Sequence, residues 1–85
     1  PFYHTFFGMT NEPVIRLADR LKQMLPWPVE RVFFGLSGSD ANDTQIKLIW
    51  LYNTLRGQPQ RTKILARKMG YHGVTLGASS LTGLP

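Results

Sequence analysis

Cysteine is absent from the 85 residues, which excludes a disulfide scaffold and fits a cytoplasmic location. The two histidines, His4 and His72, stand too far apart in sequence for a local ligand pair, so no metal is expected. Long hydrophobic runs are also missing. The longest spans residues 48–52, far short of the roughly 20 needed to cross a bilayer, and no charged-then-apolar leader opens the chain. No membrane association is expected. Acids are scarce, five against ten Lys and Arg, giving a formal charge of +5. Within residues 56–68 there are five bases, Arg56, Arg61, Lys63, Arg67 and Lys68, and no acid. Such a stretch either attracts a polyanion or forms an ordinary solvated surface. A small basic α/β module binding nucleic acid is therefore one reading, although neither zinc-finger spacing nor an aromatic RNP-like strand accompanies the charge. Internal repeats and low-complexity tracts are lacking too.

What is present reads as one small domain or less, since a chain this short buries only about 60 to 65 per cent of its unfolded surface. Pro1 in place of Met and the halt at Pro85 lead us to expect a piece of a longer polypeptide. Residues 1–10 are aromatic-rich without a clean period and read as an arm. Residues 11–85 read as helix, strand, helix, strand, helix. Asn11 caps the first helix, with Pro13 in its first turn and Val14, Leu17, Ala18, Leu21, Met24 and Leu25 along one stripe. The "PWP" at 26–28 ends it. Residues 31–36 and 62–68 are strand candidates, parallel neighbours because a helical crossover of about 41–56 joins them. Gly57 and Pro59 stop that crossover helix, and a small-residue helix follows at about 75–81. The apolar run at 48–52 cannot occupy one stripe of a helix, so burial on more than one side is expected. The fold class is α/β, a mainly parallel sheet with flanking helices, and two strands require more from elsewhere.

Between the first strand candidate and the crossover helix lies Ser37-Gly38-Ser39. Amides at a helix start, a helix dipole, a glycine that admits close approach and two hydroxyl donors suit a phosphate group. The alternative is that Ser39 only caps the helix while Gly38 makes the turn. Neither GxxxxGK[ST] nor GxGxxG is matched, so the common nucleotide motifs are set aside. Asp40 in the first turn suits the dipole and is expected to face away from any anion. The second polar turn, "GYHG" at 70–73, should emerge on the same edge of the sheet. Tyr71 there either lays its ring on a flat heteroaromatic ligand or packs its own loop, and His72 is either a hydrogen-bonded structural histidine or a catalyst.

Three blocks, "PFYHTFFGMTNEPVIRLADRL", "SGSDANDTQIKLIWLYN" and "GQPQRTKILARKMGYHGVTLGASSLTGLP", give the chain along its whole length a resemblance to the class III (omega) aminotransferases, pyridoxal 5′-phosphate enzymes of fold type I. The resemblance implies a fragment of the large cofactor-binding domain. The intact enzyme would transfer an amino group from an amine or amino acid to a keto acid or aldehyde. It implies that Ser37, Gly38 and Ser39 bind the cofactor phosphate, that Tyr71 stacks on the pyridine ring and that His72 and Gly73 complete that motif. It also implies a homodimer with the active site at the subunit interface, where Phe6 and Phe7 of the arm line the substrate pocket of the other subunit. The family usually has glutamate where Asp40 stands. The lysine that bonds to the cofactor and the aspartate that holds the pyridine nitrogen protonated lie beyond this chain, as the resemblance has it. Lys22, Lys47, Lys63 and Lys68 do not occupy the lysine motif, so no catalytic residue is expected in this segment.

Overall fold

In the computed structural model the described residues are 8–85. Phe6, Phe7 and most of the expected aromatic arm lie outside them. The chain divides into two compact units, Pro1–Phe33 and Phe34–Pro85.

The first unit contains α1, Glu12–Met24. It begins where the sequence places it, because Asn11 Oδ1 accepts from the Val14 N–H at 3.0 Å and Pro13 sits where no amide proton is needed. A Glu12–Arg16 ion pair of 3.1 Å spans the first turn, and at 72% and 79% side-chain exposure such a pair contributes only about 0.3–0.5 kcal/mol. The apolar stripe is amphipathic but open: Ile15, Leu17 and Met24 are all exposed. The helix closes with the Leu25 N–H on the Leu21 carbonyl, immediately before the two prolines.

The second unit holds α2, Gly38–Leu55, and α3, Leu76–Leu81, which pack against each other. Helix α2 starts at Gly38, three residues before the expected 41, and the cause is local. Ser37 Oγ accepts from the Asp40 N–H at 3.1 Å, while the Asp40 carboxylate reaches back to accept from the Leu36 N–H at 3.1 Å. This reciprocal pairing resembles a capping box and winds the three residues into the first turn. The other end closes as expected on Gly57, at φ +76°, with the Gly57 N–H on Thr54 O at 3.1 Å and the Gln58 N–H on Asn53 O at 2.8 Å. Trp50 Nε1–H and Asn53 Nδ2–H then donate to the Thr62 and Arg61 carbonyls, each at 2.9 Å, and pin the outgoing loop to the helix.

Two sequence expectations need correction. Residues 31–36 and 62–68 form no strand ladder, and no strand exists among the described residues. A ladder needs neighbours whose amides and carbonyls are supplied by other strands, and two candidate segments do not provide them. The parallel sheet is thus not formed here. The run 48–52 is not buried either: Leu48, Ile49, Trp50, Leu51 and Tyr52 are 43% to 61% exposed, and Ala78 is the sole buried hydrophobic residue among those described.

Candidate functional site

The head of α2 presents free donors. Amides at the first four helical positions have no partner within a helix, and here the Asp40 and Ala41 N–H groups go to Ser37 Oγ and Ser37 O. Those of Gly38 and Ser39 have no acceptor among the described residues. The Asp40 carboxylate accepts from the Leu36 N–H and stays off the cleft described below, facing away as expected. A Cβ built on Gly38 would meet nothing within 4 Å, so no packing in this unit requires glycine there.

Ser39, Asn42 and Asp43 follow at helical spacing on one face of α2, and all three grip the segment 72–78. Ser39 Oγ accepts from the Val74 N–H at 3.0 Å, and Asn42 Nδ2 donates to the His72 carbonyl at 2.6 Å. Asp43 Oδ1 accepts from Thr75 Oγ1 and from the Ala78 N–H, each at 2.9 Å. Asp43 therefore caps α3 from another element, and Thr75 makes no side-chain cap of its own. Gly73 lies at the crossing point with φ +125°, where a Cβ would collide with Ser39 Oγ and stand 2.8 Å from Ala78 Cβ. Glycine is required there on both counts.

These contacts bring the two polar turns into one open cleft of about 390 Å³, lined by Ser37, Gly38, Ser39, Asn42, Tyr71, His72 and Gly73. Five of the expected site residues, Ser37, Gly38, Ser39, Tyr71 and His72, thus meet; Phe6 and Phe7 are outside the described residues. Within this group the roles differ from the simplest reading. Ser37, not Ser39, caps α2, and the Ser39 hydroxyl, accepting from Val74, keeps its own proton to donate. Tyr71 is 64% exposed and its ring stands at the cleft. The His72 Nε2 is buried without a partner among the described residues, and a Cβ on Gly70 would lie 2.9 Å from it.

Chemically, the cleft offers two amides and two hydroxyls at the positive end of an 18-residue helix, a flat phenol, and no carboxylate among its lining residues. That set suits an anionic group attached to a flat ring. No lysine lines it. Among the described residues no cluster of three or more His, Asp or Glu is placed to hold a metal ion. No described helix is long and apolar enough to cross a membrane. In the basic stretch, Arg56 lies over the Tyr52 ring at 5.2 Å and Arg61 donates to Gln58 at 3.0 Å, away from the cleft. Residues that sequence reasoning missed are Asn42 and Asp43, which follow Ser39 along α2. The available signal was three short polar side chains at i, i+3 and i+4 inside a helix, where they would otherwise compete with it.

The family model described as aminotransferase class-III matches residues 2–84. Vanillin aminotransferase of Capsicum frutescens is 49% identical over 86 residues, covering 100% of this chain and 19% of that protein. A solved structure described as a transaminase with L-ala shares 54% identity and a TM-score of 0.90, over 100% of this chain and 20% of its own. The omega transaminase from Pseudomonas jessenii in complex with PMP gives 48% identity and a TM-score of 0.90, over 100% and 19%. The chain thus spans about a fifth of the length of the relatives it matches. Nothing in these matches supports a nucleic-acid-binding module.

Proposed function

The chain belongs to the class-III aminotransferases, and from that premise we propose that the intact protein is a pyridoxal 5′-phosphate enzyme and that this segment holds the cofactor. It would move an amino group from an amine or amino acid to a keto acid or aldehyde. The observation that supports the cofactor role is the placing of the Gly38 and Ser39 amides, which have no acceptor among the described residues, in the same cleft as Tyr71.

The residues present fit such a group. The Gly38 and Ser39 N–H groups and the Ser37 and Ser39 hydroxyls would donate to the ester phosphate, and the dipole of α2 favours its charge. The open side of Gly38 lets the oxygens come close to backbone. Tyr71 would cover one face of the pyridine ring, displacing water from it, while His72 and Gly73 carry the turn that presents the phenol. When bound, the cofactor supplies the electron sink that lets an amino group leave one carbon and be delivered to another. The lysine and the aspartate that complete the chemistry would come from beyond this segment. Phe6 and Phe7 would help line the substrate pocket of the second subunit in a homodimer.

In the intact protein Gly38→Val tests this reading. Because a Cβ there meets open space, the melting temperature of the cofactor-free protein should hold. Two methyl groups over the amides should obstruct at least one charge-assisted hydrogen bond, worth about 1.5–3 kcal/mol, so the dissociation constant for pyridoxal 5′-phosphate should rise about tenfold or more. An unchanged constant in titrations followed by absorbance would discard the cradle.

A further inference from the structure

The peptide groups flanking His72 are held from two directions by side chains remote in sequence. The His72 N–H donates to Thr82 Oγ1 at 3.0 Å, and the His72 carbonyl accepts from Asn42 Nδ2 at 2.6 Å. Thr82 completes the clamp by giving its own proton to Gly73 O at 3.2 Å or Ala78 O at 3.4 Å. Tyr71, by contrast, makes no hydrogen bond among the described residues and stands 64% exposed. Residues 70–73 belong to no helix or strand. The direction in which the phenol leaves the backbone is therefore set from both sides: by Gly70, whose carbonyl accepts from the Gly83 N–H at 2.9 Å, and by His72, whose donor and acceptor are both taken by side chains. Asn42 adds a second point. It lines the cleft and sits on the same face of α2 as Ser39, so the helix that bears the free amides also dictates where the turn bearing Tyr71 can lie.

We propose that Asn42 and Thr82 are positioning residues which, by clamping His72 through its carbonyl and its N–H, fix the Tyr71 ring at a set height beside the amides of Gly38 and Ser39. The proposal rests on the cofactor reading given above. It assigns Asn42 and Thr82 no contact with the reacting atoms. A ring carrying a phosphate ester has a fixed span between its charged end and its flat face. Binding both therefore demands that the two turns keep one separation, and these two side chains hold it at His72, beside the Ser39–Val74 hydrogen bond that ties the same turn to α2. Without them the amides still attract the phosphate, while the phenol is held less closely over the ring.

The test uses the intact enzyme, stripped of cofactor and titrated with pyridoxal 5′-phosphate, with induced circular dichroism of the bound cofactor recorded beside the dissociation constant. Asn42→Ala and Thr82→Val should each raise that constant about three- to tenfold, the loss of one net hydrogen bond, and should diminish the dichroic band. Thr82→Ser keeps the hydroxyl and should restore both. Trp50→Phe removes the Trp50–Thr62 hydrogen bond away from the cleft and serves as the control for a merely structural tether. It should lower the melting temperature without moving the band. The proposal is overturned if Asn42→Ala and Thr82→Val leave the dichroic band and the constant where Trp50→Phe leaves them, or if Thr82→Ser fails to restore them, while Gly38→Val still releases cofactor. If Gly38→Val also binds normally, the cradle itself is wrong and the proposal falls with it.

Discussion

At the scale of the residue, the two glycines of the cleft answer to different demands. Gly38 has an unstrained backbone and open space about it, whereas Gly73 combines φ +125° with Ser39 and Ala78 in the way of any side chain. Gly73→Ala should therefore destabilise the intact protein by about 1–3 kcal/mol, the range for one residue forced into such a conformation, and weaken cofactor binding with it. Urea denaturation of the cofactor-free protein measures the first, and equal stability would show that the turn relaxes freely. The contrast with Gly38 separates a glycine kept for folding from one whose only constraint is what approaches it. Of the two, Gly38 was legible as an anion-site residue from its place between serines before a helix. The need for Gly73 was not, because the obstacle is Ser39, 34 positions earlier, and such proximity has no local signature.

Among the elements, α3 depends most on another. It has six residues, fewer than an isolated helix needs to persist, and no side-chain cap from Thr75. Asp43 on α2 supplies that cap and satisfies the N–H of Ala78, which is 0% exposed. Asp43→Ala would leave that amide buried and unpaired, a penalty of about 1–3 kcal/mol, enough to unravel six residues held by little else. Hydrogen exchange across Leu76–Leu81 should accelerate accordingly while α2, Gly38–Leu55, keeps its protection. Equal acceleration in both helices, or none, would contradict the assignment. The helices were readable in advance because their signals are local: Asn11 and Pro13 at the start of α1, and Gly57 at the end of α2. The early start of α2 was missed because Ser37 and Asp40 act as a pair around residues that look like a loop. Strands failed for a different reason. An apolar run such as residues 31–36 states a preference for burial, but pairing requires partners, and a sequence specifies those only in the company of the other strands.

For the molecule as a whole, apolar surface left uncovered is the governing quantity. Around α2, Leu48, Ile49, Trp50, Leu51, Tyr52 and Leu55 are 43% to 78% exposed, and Leu65 and Leu76 exceed 90%. Covering one such side chain is worth about 1.5–3 kcal/mol. The opposing force in the 85-residue segment taken alone is its net charge of +5, and repulsion among surface charges is largely screened beyond about 8 Å at physiological ionic strength. Burial wins that comparison. The isolated segment should therefore self-associate at micromolar concentration, bind an apolar fluorescent dye, and lose structure over a broad rather than cooperative transition, since cooperativity comes from a shared core and Ala78 is the only buried hydrophobic residue among those described. Gel filtration with dye titration and thermal melting checks this. A monomer with a sharp melt would mean that the segment closes a core by itself, and the apolar belt of α2 would then need an explanation other than contact with the rest of an aminotransferase.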